Sequence, residues 1–222
     1  MGHPYSKVLG LIPEVVCNNK NENKVCDVCF KAKQTREMFS SSENKAKECF
    51  DLIHCDLWGP YRVPASCGAL YFFTIVDDCS RAVWIYLLNG KIEVGFVLKK
   101  FMAMIQRQFQ KDVKIVQSDN GREFMCLKEY FDEIGIVHQT SCVGTPQQNG
   151  RVERKHRHIL NVARALRFQA HLSLEFWGEC ILATGYLINR TPSVLLNGKS
   201  PYEILFGQKP SYQSVRIFGC VL

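Results

Sequence analysis

Apolar residues between 50 and 88 fall in short runs bounded by turn residues, the pattern of strands. FDLIHCDLWG (50–59) reads as a strand stopped by Gly59-Pro60. LYFFTIVD (70–77) and AVWIYLL (82–88) are aromatic and β-branched runs, and Asp78-Cys79-Ser80-Arg81 between them predicts a hairpin or meander. A helical period follows. In KIEVGFVLKKFMAMIQRQF (91–109), Val94, Val97, Leu98, Phe101, Met104 and Ile105 fall on one helical face. DVKIVQSD (112–119) is a short buried strand, LKEYFDEIG (127–135) a helix closed by Gly135, and IVHQT (136–140) another strand.

Next comes TPQQNGRVERKHRHIL (145–160). Thr145-Pro146-Gln147-Gln148 fits a capping box with proline at the first helical position, and Asn149 is an alternative cap one turn later. Val152, His156, Ile159, Ala163 and Leu166 form the inward face of this helix. The last predicted helix, 174–189, is apolar nearly all round (Phe176, Trp177, Ile181, Leu182, Tyr186, Leu187), which predicts cover on more than one side. The order β-β-β-α-β-α-β-α-α implies an α/β fold: a mixed sheet, antiparallel first and then alternating with helices that cover it. Residues 1–44 are polar and poorly periodic, hold Cys-Asp-Val-Cys at 26–29, and lead through the Ser/Asn/Lys-rich stretch 40–47, which reads as a linker.

At 222 residues the chain has room for one sizeable domain and a small appendage. A hydrophobic content of 46% supports a packed core and excludes a disordered chain. No run of about 18 apolar residues predicts a membrane span, and no charged-then-apolar leader predicts secretion. The eleven cysteines are odd in number and irregularly placed, so they read as reduced intracellular thiols. Cys49, Cys55, Cys67, Cys79, Cys126 and Cys180 are expected as small core hydrophobes, and the sequon Asn189-Arg190-Thr191 is expected to stay unmodified. Net charge is +7, and residues 149–169 alone hold six Lys/Arg against one acid, Glu153. A solvated basic helix face accounts for such a run; a polyanionic partner, nucleic acid first, is the functional reading.

Glu153 therefore needs a reason. An i,i+4 pair with Arg157 is the bland one. The other comes from two acids at strand ends. Asp56 comes late in the first strand, and Asp119 closes KIVQSD before the turn Asn120-Gly121. If those strands are neighbours, the two carboxylates meet at the sheet edge and repel unless a cation separates them. Oxygen donors of this kind suit Mg²⁺ or Mn²⁺ rather than zinc. Glu153, on a helix crossing that edge, would supply the third carboxylate, and its cationic neighbours would hold substrate phosphates. Two ions at such a site drive in-line displacement at phosphorus without a covalent intermediate. Asp77 and Asp78 compete for the first role, although Arg81 is at hand to neutralise one of them.

HCDLWGPY, QSDNGREF and TPQQNGRVERKHRHIL, in this order, resemble the integrase catalytic core of Ty1/copia-type retrotransposon polyproteins, a kind abundant in plants. FWGECILATGYLINRTPS, KSPYEILFGQKP and MGHPYSKVL with CDVC extend the resemblance over essentially the whole chain. It implies a ribonuclease H-like mixed five-stranded sheet flanked by helices. It implies the triad Asp56, Asp119 and Glu153 as catalytic residues and ligands of two Mg²⁺ or Mn²⁺ ions, with 33 residues between the last two, as in the family. The implied activity is trimming of the 3′ ends of double-stranded element DNA and their transfer into target DNA, in the nucleus, by a homo-oligomer that otherwise travels in a cytoplasmic particle. Arg151, Arg154, Lys155 and Arg157 become candidate phosphate contacts, and Gln147, Gln148 and Asn149 candidate contacts to the DNA end.

The resemblance also divides the chain into a zinc-binding remnant (1–40), the catalytic core (41–208) and the start of a C-terminal segment (209–222). Of the remnant's two histidines and two cysteines, His3, Cys26 and Cys29 are present, and the first histidine would lie before Met1. Zn²⁺ is expected to bind weakly to three such ligands. With FGCVL as its last residues, the chain reads as a piece of an element. The competing expectation is a nucleic-acid-binding remnant that keeps the fold and the basic helix but has no turnover; a generic ribonuclease-H-like nuclease is the third.

Overall fold

The computed structural model describes residues 46–141, 150–213, 215 and 217–219. The expectations at His3, Cys26, Cys29, Gln147, Gln148 and Asn149 lie outside the described residues.

Five strands form one sheet: β1 (Leu52–Trp58), β2 (Tyr71–Asp77), β3 (Val83–Leu88), β4 (Ile115–Ser118) and β5 (Val137–Thr140). Their spatial order is β3-β2-β1-β4-β5. The first three pair antiparallel, as short connections allow; β1–β4 and β4–β5 pair parallel, which requires crossovers. Helix α1 (Glu93–Phe109) supplies the first crossover. Two short helices, α2 (Arg122–Met125) and α3 (Lys128–Glu133), supply the second, and α3 gives way to β5 through Gly135 at φ +73°, where a side chain would be strained. The sequence pattern predicted α3 and missed the single turn of α2.

Alternation along β1 sorts its side chains to two faces. Ile53, Cys55 and Leu57 enter a core with Val94, Leu98, Phe101 and Ile105 of α1 and with Phe124 and Phe131. Those four α1 residues are fully buried, each contributing about 1.5–3 kcal/mol as an upper estimate. On the other face lie α4 (Gly150–Gln169) and α5 (Trp177–Arg190). Val152, Ile159 and Ala163 of α4 pack with Trp177, Cys180, Ile181 and Ile188 of α5 over Phe72, Val76 and Val83. A last helix, α6 (Pro201–Phe206), starts where Ser200 Oγ accepts from the Glu203 amide at 3.1 Å, with proline at its first position.

Two expectations change. Leu182 and Tyr186 on the outer side of α5 are 44% and 40% exposed, so its cover within the described residues is one-sided. Of the six cysteines read as core, Cys55 and Cys180 are buried, Cys49 and Cys79 half-buried, and Cys67 and Cys126 exposed. The last two lie outside any strand or helix face that packs on the core, a distinction that composition does not carry. No helix among the described residues is long and apolar enough to cross a membrane.

Candidate active site

The ladder between β1 and β4 sets the site. Leu52, Ile53 and His54 pair in parallel register with Ile115, Val116 and Gln117. Continued two steps past its last rung, the same register would set Asp56 level with Asp119, one residue past the end of β4. Adjacent strands are about 4.8 Å apart, so the two backbones are neighbours there. Parity puts both acids on the face under α4, because Ile53 and Val116 face the opposite core. Asp119 is held by its own turn: its Oδ1 accepts the Gly121 amide at 3.0 Å.

Asp56 sits inside this edge, its side chain 15% exposed. Oδ1 accepts the Leu57 amide at 3.0 Å, and Oδ2 lies 3.2 Å from Nδ1 of His156 on α4. Burial, then the negative charge of Asp119, push the Asp56 carboxyl up to about 7; Glu153 and Glu123 push the same way, and the Leu57 amide pulls against them. Four carboxylates therefore share one electrostatic neighbourhood. Glu123 is the one that the sequence pattern did not single out. A side chain at Gly121 would lie 2.9 Å from Asp119 Oδ1 and 3.0 Å from Glu123 Oε2, so both acids crowd that glycine. Glu123 also pairs with Lys91 at 3.5 Å.

Glu153 lies in the first turn of α4 with its side chain exposed. Among the described ion pairs none joins it to Arg157, so the helix-face explanation finds no support. The oxygen-donor chemistry of Asp56, Asp119 and Glu153 fits a hard divalent cation, and a cation would relieve the repulsion felt at Asp56. The spacing is looser: among the described residues no three His, Cys, Asp or Glu side chains stand close enough to hold one ion. Coulombic influence reaches further than coordination, which reconciles the two observations.

The basic residues of α4 differ in exposure and partners. Arg154 and Arg157 are exposed. Lys155 is half-buried, and burial together with the nearby Arg81 charge lowers its amine to about 8. Arg151 pairs with Asp78, which is fully buried. Asp78 also takes His54 Nε2 at 2.8 Å, Arg81 at 3.3 Å and the Ala46 amide at 2.8 Å. Its neighbour Asp77 accepts from the Phe50 and Ser80 amides and the Ser80 hydroxyl. These acids hold the β2–β3 connection in place, as the Asp-Asp-Cys-Ser-Arg run suggested.

A mixed sheet of this order, with Asp56 on β1 and Asp119 just past the end of β4, has the ribonuclease H-like architecture. Residues 46–146 match the integrase core domain family. Over 99% of its length the chain is 36% identical to the retrovirus-related Pol polyprotein from transposon TNT 1-94 of Nicotiana tabacum, and 33% and 34% identical to those from transposons RE2 and RE1 of Arabidopsis thaliana. It spans 17% of the first of these polyproteins and 15% of the other two. The catalytic core domain of BIV integrase has the same fold, with a TM-score of 0.51 at 21% identity over 71% of this chain and 95% of that one. The chain belongs to the integrase core domains of retrotransposon Pol polyproteins.

Proposed function

We propose that this core joins DNA ends to target DNA by metal-assisted phosphoryl transfer. Asp56, Asp119 and Glu153 are its catalytic carboxylates. What supports the reading is the parallel register of β1 on β4, which, continued two steps, would set Asp56 beside Asp119, together with the effect of the Asp119 charge on the Asp56 carboxyl. These three residues would hold Mg²⁺ or Mn²⁺, which would supply charge neutralisation and a more acidic attacking hydroxyl. The chain's own contributions are positional. The Leu57 amide donates to the Asp56 carboxylate, and the Asp119 turn fixes its neighbour. Exposed Arg154 and Arg157, with Lys155 beside them, bind backbone phosphates without reading sequence.

In the full reaction an element 3′ hydroxyl attacks a target phosphodiester. A new P–O bond forms as the old one breaks, after a first hydrolytic step trims the 3′ end. Double-stranded DNA is thus both ligand and substrate. Joining two ends calls for at least a dimer of this chain, acting in the nucleus. Zinc, if bound, belongs to the first 40 residues through His3, Cys26 and Cys29.

The purified chain, an element-end duplex and Mg²⁺ or Mn²⁺ test this. Metal-dependent joining that disappears in Glu153→Gln supports it. One observation favours a second reading, a silent DNA-binding fragment: no three-donor cluster is closed among the described residues. Salt-sensitive DNA binding without joining, unchanged in Glu153→Gln, supports that reading. Cleavage of RNA in a hybrid points instead to a nuclease.

A further inference from the structure

We infer that His156 is the positioning residue for Asp56, and through Asp56 for the whole carboxylate site. The inference rests on the proposed role of Asp56 and goes beyond it, since it assigns a task to a side chain that the helical pattern reads as core.

His156 occupies an inward position of α4 and is 6% exposed. Its inward neighbours Val152 and Ile159 are apolar and wholly buried, so packing alone asks for no ring nitrogen there. The ring meets Phe72 edge to face, with centroids 5.1 Å apart at 68°. Nδ1 lies 3.2 Å from Asp56 Oδ2, and Nε2 is buried with no hydrogen-bond partner among the described residues. These two facts fix the tautomer. A proton on Nε2 would be a buried donor without an acceptor, whereas a proton on Nδ1 has the carboxylate in front of it. An Nδ1–H is thus the proton that faces Oδ2 at 3.2 Å, while the Leu57 amide donates to Oδ1. Each oxygen of Asp56 thus has one protein group against it, one from its own strand and one from the helix that carries Glu153. Carboxylates that ligate metals depend on hydrogen bonds of this kind for their orientation. His156 also links the two elements of the site directly: it sits three residues after Glu153 and touches Asp56, so the helix cannot shift along β1 without breaking this bond.

The test uses the whole chain without DNA, with Mn²⁺ alone as probe. His156→Asn keeps a donor near the Nδ1 position; His156→Leu keeps the apolar volume and loses the donor. Isothermal titration is expected to give a 10–100-fold loss of Mn²⁺ affinity in His156→Leu and a loss of no more than about threefold in His156→Asn. Ring ¹⁵N NMR of the metal-free wild type above pH 8, where Asp56 is ionised, is expected to find the Nδ1–H tautomer, with a resonance that shifts in Asp56→Asn. Equal Mn²⁺ affinity in wild type and His156→Leu, or an Nε2–H tautomer, overturns the inference. An Asp56→Asn variant that binds Mn²⁺ as well as wild type overturns the proposed function instead, and the tautomer then judges the His156–Asp56 bond by itself.

Discussion

Arg151, in the first turn of α4, reaches the buried carboxylate of Asp78 in the β2–β3 connection, and this ion pair fastens the start of the helix to the sheet. A residue that sequence reasoning enrolled as a phosphate contact is engaged in structure, two positions before the candidate catalytic Glu153. His54 and Arg81 meet the same carboxylate, so removing it strands several polar groups at once.

Asp78→Ala is accordingly expected to destabilise the fold by roughly 3–5 kcal/mol, the usual cost of leaving buried partners uncompensated. Urea unfolding followed by circular dichroism measures this. A loss below 1 kcal/mol would contradict the account of Asp78 as the anchor of α4.

DNA binding should separate the arginines of α4. Arg157→Gln is expected to reduce the slope of log affinity against log salt by about 0.9, the loss of one phosphate contact. Arg151→Gln should leave that slope unchanged while lowering thermal stability. Fluorescence anisotropy over a salt series decides, and a slope change for Arg151 equal to that for Arg157 would return it to the DNA surface.

The pH dependence of stability follows from Asp56. Its folded pKa, about 7, lies above the ordinary 3.8, so the folded protein keeps a proton that the unfolded chain releases between those values. This stability is fully present below about pH 4 and is lost as pH rises through 7. The loss is at most roughly 4 kcal/mol. His54 has the opposite sign. Burial and the Arg151 and Arg81 charges lower it to about 4, so its contribution is present above pH 6.5 and lost as pH falls through 4. Asp56→Asn should therefore be more stable than wild type above pH 7 and no more stable below pH 4. Mg²⁺ should raise the melting temperature of wild type but not of the variant.

Gly59, just beyond β1, has φ +133°, and a Cβ there would lie 2.7 Å from both Leu70 O and Tyr71 Cδ1. Backbone strain and a clash with main chain add, so Gly59→Ala is expected to cost roughly 2–4 kcal/mol. Thermal melts test it. A neutral substitution would mean that the end of β1 is not held against β2 as the structure has it.

Much of this was readable in advance where one periodicity ran long enough. The three antiparallel strands, α1 and the inward face of α4 follow from apolar spacing. That strands one and four are neighbours, the condition for Asp56 and Asp119 to meet, holds in the ladder between β1 and β4. What pattern could not give was the identity of partners. His156 occupies an inward position and looks like filler until the acid opposite is known. Glu123 lies within QSDNGREF as one more surface acid, and its nearness to Asp119 depends on the fold of the Gly121 turn. Arg151 belongs by sequence to a basic run, and only the tertiary contact with Asp78 separates it from Arg154 and Arg157. Cysteine burial was misjudged at Cys67 and Cys126 because thiol content says nothing about which turn faces water.

The β1–β4 ladder is only three rungs long, from Leu52–Ile115 to His54–Gln117. Because side chains alternate, a slip of β4 by a single residue would swing Asp119 to the α1 side and swap Val116 out of the core. Lesions that loosen this seam, such as cavities beneath Val116, could silence the chemistry without touching any acid, and such inactive copies would still look intact when only their carboxylates are inspected.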